Sequence, residues 1–410
     1  MNFKTNFKKT SKLPREFWIV ALIAFINSVS FTSIIPLIYP YARQFGLNDF
    51  EASLLITIYA ASQFIGTPIL GKLSDRFARK PLLIVSLLGT VLANLIASLA
   101  TVAWVLLAAR ILDGLTGGNN SIAKAVISDT TNPTQRVKAF GIFSAVLRLG
   151  FVVGPALSYL AQQLPTFLGI SPLGMSFLVS AIIAFLATLI TGFFLPETLS
   201  TQRGVKLVWQ DFVFTKIFQA ATRPILGKIF ILTFLSDLTF RIFTFAFQPF
   251  ILEVLEQNTA TLAAIFSAIG MVGFTTQVFT LEPLTKKFNL LDLLIAALLC
   301  RAIVFLLIPS FPNLNIFAVL IVIFAVVNSF PIPLLSSLVS LNSSTTEQGE
   351  ALGINSSYLS MSNAIGPAVS GIIVSNFGYR IPFWVTGVLA LLTTLFAASL
   401  KTEFQQHQKH

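Results

Sequence analysis

Long runs of apolar residues alternate with short polar segments along nearly the whole chain. An α-helix needs about 17–25 residues to cross the hydrocarbon core of a bilayer, and twelve of the runs have this length. Their length and repetition, rather than their periodicity, distinguish them from the buried helices of a soluble protein. We therefore predict twelve membrane spans, numbered 1 to 12 in chain order, at residues 17–39, 52–70, 81–100, 104–128, 139–162, 173–194, 227–252, 260–281, 290–309, 314–339, 353–377 and 381–400.

The composition also indicates that lipid is the main solvent. Of the 410 residues, 55% are hydrophobic and 10% are charged, whereas soluble domains carry about 25% charged residues. The sequence therefore predicts an all-α membrane protein with twelve transmembrane helices.

Lysine and arginine are distributed unevenly between the two sides of the predicted membrane. Of the 27, 20 fall in the two tails, the central loop and loops 2–3, 4–5 and 8–9, which share one side. The opposite loops contain Arg43 and Arg380, and the remaining five lie within spans. Because cytoplasmic loops carry the excess of basic residues, we expect an inner (plasma) membrane protein with both termini cytoplasmic. This topology accounts for the net charge of +11, so no nucleic-acid partner is expected.

The side chains that common enzyme and metal sites require are missing from the sequence. Cys300 is the single cysteine, and the two histidines, His407 and His410, lie in the last four positions. Neither an intrachain disulfide nor a Cys/His metal cluster is therefore possible. With no Ser/His/Asp set and no Walker loop, the sequence predicts no cofactor and no enzyme. A membrane-embedded enzyme or a structural membrane protein is kept as a remote alternative.

An internal repeat divides the chain into two parts. Residues 140–142 and 154–156 (Phe-Gly-Ile and Gly-Pro-Ala) recur as 352–354 and 366–368 (Leu-Gly-Ile and Gly-Pro-Ala), both 212 residues further on. Spans 5 and 11 are therefore equivalent, and the spans form two pseudo-symmetric six-helix halves. Such repeats are common in transporters, where the substrate is bound near the bilayer midplane between the halves. The predicted domains are an N-terminal tail (1–16), an N-terminal half (17–194), a central loop (195–226), a C-terminal half (227–400) and a C-terminal tail (401–410).

Loop 2–3 carries the most specific motif, Gly-Lys-Leu-Ser-Asp-Arg-Phe-Ala-Arg-Lys-Pro at residues 71–81. A positively charged loop that only sets topology would explain the basic residues, but not the glycine and the acid at this spacing. The motif resembles the loop 2–3 signature of the major facilitator superfamily. The wider match, from Tyr59 and Gln63 through Pro68, resembles the tetracycline/proton antiporter branch. The motif residues predicted to act in conformational change are Gly71, Asp75, Arg76, Arg79 and Lys80.

Two further elements carry the same resemblance. Arg110 and Gly114 in span 4 match an Arg-x-x-x-Gly element that the family associates with proton coupling. The glycines of span 5 resemble the antiporter signature that ends in Gly-Pro, which implies export rather than import. A Gly-Pro element bends a helix and removes a backbone donor, which suits a helix that tilts during transport. The conformational residues predicted in these spans are Gly141, Gly150, Gly154, Pro155, Gly366 and Pro367.

Charged residues inside the spans are candidates for proton coupling, because a charge at mid-bilayer costs about 2.5–3.5 kcal/mol on insertion scales. Arg110 and Asp113 stand three residues apart in span 4, and Asp237 and Arg241 stand four apart in span 7, spacings that allow ion pairs on a helix. One interpretation is that an aspartate exchanges a proton when its partner moves. The alternative is that both are static pairs that fix helix packing.

The chain departs from the tetracycline antiporters where they carry acids in spans 1 and 3, since it has Asn27 and Ala93 there. Tetracycline is therefore a doubtful cargo, and a proton carrier would lie elsewhere. Polar side chains within the spans can line a cargo cavity or join helices. The candidates are Asn27, Gln63, Asn94, Asn119, Gln248 and Arg301.

The sequence thus predicts a secondary transporter that works by alternating access, exporting small amphipathic organic compounds in exchange for protons. A facilitator, an importer or a lipid-exporting transporter of the same fold is the alternative. The expected partners are a small-molecule substrate, protons and the lipid bilayer, and the expected state is a monomer.

Overall fold

The computed structural model describes residues 13–199, 215–343 and 347–407. The described residues are almost entirely helical and include no strand. Each predicted span corresponds to one helix or to successive helices, so the predicted fold class is confirmed. Most of the N-terminal tail, residues 200–214 of the central loop and the last three residues lie outside the described part. The domain boundaries stay predictions.

Most spans extend a few residues beyond the apolar segments that predicted them. In the N-terminal half the spans are Arg15–Ile34 continued by Ile35–Leu37 and Ile38–Gln44, Asp49–Arg76, Arg79–Ser98, Ala103–Thr116 with Asn119–Thr130, Pro133–Gln162, and Pro172–Phe194. In the C-terminal half they are Leu226–Pro249 continued by Phe250–Val254, Thr259–Phe279, Leu290–Leu307 continued by Ile308–Ser310, Leu314–Val327 with Pro331–Leu341, Gln348–Phe377, and Ile381–His407. Two short helices, Thr215–Ala220 and Leu281–Lys287, lie in the central loop and loop 8–9.

Local chemistry explains where several spans begin and break. Asn48 accepts a hydrogen bond from the Glu51 N–H, and the Glu51 carboxylate accepts one from the Asn48 N–H, so a capping box starts span 2. Span 4 breaks at Gly117 and Gly118, where span 2 comes so close that a side chain would not fit. A Cβ on Gly118 would lie 2.6 Å from the Cβ of Leu70.

Ten spans are by themselves long and apolar enough to cross a membrane. The other two are span 4, which is broken, and span 11, which is rich in serine and asparagine. Both are supported by packing rather than by hydropathy. Span 11 packs along span 7 in its own half and along span 2 of the other half.

We call the membrane side on which residues 13–16 and 401–407 lie the tail side, and the opposite side the far side. On the far side, one continuous hydrophobic core joins the two halves. It includes Tyr39 and Leu55 of the N-terminal half, and Phe247, Phe250 and Phe317 of the C-terminal half. The Tyr39 and Phe245 rings meet across the halves with centroids 6.0 Å apart.

Two helix crossings complete the far-side contact. Span 8 presses Gly270 against the backbone of Phe151 in span 5, and span 11 presses Gly371 against Ser53 in span 2. The Thr259 hydroxyl also donates to the Gln162 side chain over 3.0 Å.

On the tail side each half has its own hydrophobic core. One cluster contains Phe17, Leu83 and Phe143, and a second contains Phe230 and Leu338. The two halves therefore meet on the far side and separate toward the tail side. This arrangement is open to the tail side.

Candidate functional site

The ion pair of span 4 lies inside the N-terminal half. The Arg110 Nη2 atom is 3.2 Å from Asp113 Oδ2, and both side chains are at least 95% buried. Arg110 also donates to Asn94 of span 3 over 3.4 Å, and its guanidinium lies over the rings of Tyr59 and Phe177. The structure therefore forms the predicted pair in an enclosed site that contacts three neighbouring helices.

The ion pair of span 7 is more open. The Arg241 Nε atom donates to Asp237 Oδ2 over 3.1 Å, and the Arg241 side chain is 30% exposed whereas that of Asp237 is 3% exposed. The same carboxylate oxygen accepts a hydrogen bond from Ser362 of span 11. Gly366, one turn further along span 11, leaves room for the Arg241 side chain. Asp237 therefore depends on two helices for its hydrogen bonds.

Arg301 of span 9 has no carboxylate partner among the described residues. Its side chain is 1% exposed, and it donates to the Ser236 carbonyl over 2.9 Å, to Thr239 Oγ1 over 2.8 Å and to Asn328 Oδ1 over 3.3 Å. Its Nε atom has no hydrogen-bond partner there. Arg301 and Asp237 both line a cavity of about 20 Å³, which has room for roughly one water molecule.

Loop 2–3 is organised around Arg79, which is 4% exposed. Its guanidinium binds Asp75 over 2.6 Å, Asp129 of span 4 over 2.8 Å and the Ser74 hydroxyl over 2.8 Å. Arg76 instead lies over the Phe77 ring, 5.3 Å from its centroid. The two arginines of the predicted motif therefore differ. Arg79 is buried and connects spans 2, 3 and 4 through its ion pairs, whereas Arg76 is exposed.

Glu197, which follows span 6, caps the start of span 3. Its carboxylate accepts the backbone N–H groups of Arg79 and Lys80, each over 3.0 Å, and those of Thr198 and Leu199, each over 2.9 Å. Partial burial opposes ionisation, but the four amide donors outweigh it and lower the pKa of Glu197 below its usual value. Sequence reasoning missed Glu197 as a cap because Arg79 and Lys80 are more than a hundred residues away from it.

The glycines of span 5 serve close packing against span 1. Gly150 contacts Ser28 and Gly154 contacts Thr32, and each leaves no room for a Cβ. The Thr32 hydroxyl donates to the Gly150 carbonyl over 2.7 Å, which joins the two helices. Gly141 has nothing within 4 Å of an added Cβ, so packing gives no reason for a glycine there. Pro155 and Pro367 both lie within long helices.

The neutral cavity candidates mostly join helices. Asn119 donates to Asn27 over 3.1 Å, and Gln63 donates to the Gly117 carbonyl of span 4 over 3.4 Å. Gln248 accepts the backbone N–H of Tyr39 over 3.4 Å, which connects the halves on the far side. The Nε2 atom of Gln248 and the Nδ2 atom of Asn94 have no partner among the described residues.

Comparison with known proteins places these features in context. A family model described as Major Facilitator Superfamily matches the chain over residues 20–228 and 229–409. Tetracycline resistance protein, class B, from Escherichia coli is 27% identical over 376 residues, which is 89% of each chain. Multidrug resistance protein 2 from Bacillus subtilis is 27% identical over 391 residues, 94% of this chain and 95% of the relative.

A solved structure is similar in fold. It is that of a bacterial homologue of the human lysosomal transporter Spinster, in an inward-facing and unoccupied conformation. The match has a TM-score of 0.77 at 16% identity and covers 93% of this chain and 95% of the other.

Proposed function

This chain belongs to the Major Facilitator Superfamily, and we propose that within this family it exports small amphipathic organic compounds in exchange for protons. The predicted resemblance to the superfamily and to its drug/proton antiporters is confirmed by the relatives, which are transporters and not enzymes. The chain is a multi-pass integral membrane protein. We further propose that it lies in the inner (plasma) membrane as a monomer with both termini cytoplasmic, so that the tail side faces the cytoplasm.

The position of Asp237 is the observation that carries the proton-coupling proposal. Ser362 and Gly366, which contact Asp237 and Arg241, lie on span 11. The same helix packs Gly371 against Ser53 of the other half. A change in the angle between the halves therefore acts on span 11 directly, and we propose that it shifts span 11 relative to span 7 within the C-terminal half.

This link gives a route to proton exchange. While Arg241 and Ser362 hold Asp237, its negative charge is paired and hydrogen-bonded. If span 11 moves and Arg241 swings toward the opening, the carboxylate loses these partners in a buried place, where an unpaired charge is costly and a proton is taken up instead. The partial exposure of Arg241 supports this movement.

Arg110 and Asp113 are the second candidate for proton coupling. Their contacts with Asn94, Tyr59 and Phe177 lie within the N-terminal half, just as those of Asp237 lie within the C-terminal half, but the Arg110 side chain is 2% exposed whereas that of Arg241 is 30% exposed. This enclosure favours Asp237 as the carrier and a structural role for the span 4 pair.

The proposal is tested by transport in reconstituted vesicles against a panel of amphipathic compounds, with the internal pH recorded. Coupled export predicts that an imposed pH gradient drives cargo flux and that cargo moves protons in the opposite direction. Flux that ignores the gradient would instead indicate a facilitator, and proton movement in the same direction as the cargo would indicate an importer.

A further inference from the structure

We propose that the cargo is an organic anion and that Arg148 of span 5 binds its acidic group at the bilayer midplane. This inference rests on the proposed transport function and specifies its substrate class. It starts from the balance of charge in the middle turns of the spans, where four arginines accompany two aspartates. The arginines are Arg110, Arg148, Arg241 and Arg301.

Two of these arginines form an ion pair and two do not. Asp113 pairs with Arg110, and Asp237 pairs with Arg241. Arg301 is bound by neutral oxygen atoms and shares a small cavity with Asp237. Arg148 has neither an ion pair nor a hydrogen bond to any residue that the structure describes, so its positive charge has no partner there.

Arg148 lies where a cargo can reach it. It stands one helical turn before Phe151 and Val152, on the same face of span 5, and Gly270 of span 8 crosses the helix at those two residues. Arg148 is on the tail-side of this crossing, where the halves separate. Its side chain is partly exposed.

A simpler explanation is that Arg148 extends along the helix to reach the lipid headgroups. Arg148 lies halfway along the 30 residues of span 5. At 1.5 Å per residue, either helix end is roughly 22 Å away, several times the length of an arginine side chain. A charge held at this depth normally faces a water-filled cavity or a partner. Arg148 has no counter-ion among the described residues, and an anionic cargo would supply one.

The guanidinium group restricts the chemistry of that cargo. Its planar donors match a carboxylate, sulfonate or phosphate with two parallel hydrogen bonds. A cationic compound would meet repulsion from Arg148, so the site selects against it.

An anionic cargo also changes the charge carried in each cycle. Export of one monovalent anion in exchange for one proton moves two positive charges inward, so an inside-negative potential drives it. Exchange of one monovalent cation for one proton moves no net charge. The dependence of transport on the membrane potential therefore distinguishes the two cargo classes.

The test uses two dyes that share a xanthene skeleton and have opposite charge, fluorescein (an anion) and rhodamine 6G (a cation). Wild-type protein and the variants Arg148→Gln, Arg148→Lys and Lys287→Gln are reconstituted into vesicles under a fixed pH gradient. Lys287→Gln is the matched control, because it removes one positive charge from an exposed position in loop 8–9. Dye flux is quantified with and without an imposed potassium-diffusion potential.

We expect wild-type protein to transport fluorescein in preference to rhodamine 6G, with a rate that increases with the potential. Arg148→Gln is expected to raise the KM for fluorescein at least tenfold, Arg148→Lys to raise it less, and Lys287→Gln to leave it unchanged. Preference for rhodamine 6G, or fluorescein flux that does not respond to the potential, would overturn the inference and leave proton-coupled export standing. If Arg148→Gln transports fluorescein normally, Arg148 is not the binding group. If neither dye nor any panel compound moves under the gradient, the proposed function fails as well.

Discussion

Replacing Gly270 by alanine is expected to push the halves apart on the far side and to depopulate the conformation that is open to the tail side. An added Cβ would lie 2.7 Å from the Phe151 carbonyl oxygen, 2.8 Å from its carbon and 3.0 Å from the Val152 nitrogen. All three are backbone atoms, so no side-chain rotation relieves the overlap. Ordinary contact begins at 3.4 Å, so the helices must separate by roughly 0.7 Å.

Overpacking of this kind costs about 1–3 kcal/mol. Since about 1.4 kcal/mol corresponds to a factor of ten, the population ratio of the two conformations should change by roughly 5- to 150-fold. Replacing glycine by alanine also favours the helix itself by up to about 1 kcal/mol, but this gain is the same in both conformations and cancels.

Gly273→Ala is the matched control. It lies in the same helix, and its Cβ would meet only the Ser329 hydroxyl of its own half, at 3.6 Å. Spin labels at the exposed far-side positions Phe167 and Phe311 would report the distance between the halves in a Cys300→Ser background. Gly270→Ala should populate a longer far-side distance, and Gly273→Ala should match the parent. Equal distance distributions for the two variants would refute the far-side packing as described.

Three further predictions concern the N-terminal half and Glu197, which caps its span 3. Arg110→Ala should leave Asp113 buried without its partner, at a cost of about 3–5 kcal/mol, so both transport and the melting temperature should fall. Adding Asp113→Ala should restore much of the melting temperature. If it does not, the ion pair as described is contradicted. Asp75→Asn should impair transport and Arg79→Gln should impair it more, because Arg79 also binds Asp129. If cargo flux in both variants equals that of wild type, the ion pairs of Arg79 have no part in the mechanism. Because the pKa of Glu197 is lowered in the folded protein, its stabilising effect should be present at pH 7 and lost as the pH falls through that lowered value. The melting temperatures of Glu197→Gln and wild type should therefore differ at pH 7 and converge in acid. A difference that stays constant with pH would contradict this.

Hydropathy was sufficient for the fold because lipid forces each span to satisfy its own backbone hydrogen bonds, which makes length and composition informative. The breaks in spans 4 and 10 were not predicted. The break in span 4 depends on the approach of another helix, at Gly118 and Leu70, and a single sequence does not record that approach. The break in span 10 comes just before Pro331, which the sequence does show.

For the site residues too, contacts between near neighbours in the sequence were predictable and contacts between distant segments were not. Arg110–Asp113 and Asp237–Arg241 were visible because their partners stand three and four residues apart. The hydrogen bond from Ser362 to Asp237 joins residues 125 positions apart and could be found only from the packing of spans 7 and 11. The roles of all these residues in transport stay predictions.

The central claim is that Asp237 carries the exchanged proton, and one measurement tests it most directly. Proton movement coupled to cargo is recorded in vesicles that contain wild-type protein, Asp237→Asn or Asp292→Asn. Asp292 is the control because it pairs with Lys401 at the tail-side surface, where both side chains are 44% exposed. Loss of cargo-dependent proton movement in Asp237→Asn, with Asp292→Asn unchanged, is the predicted result. Proton movement of normal size in Asp237→Asn would contradict the account and return this residue to a structural role.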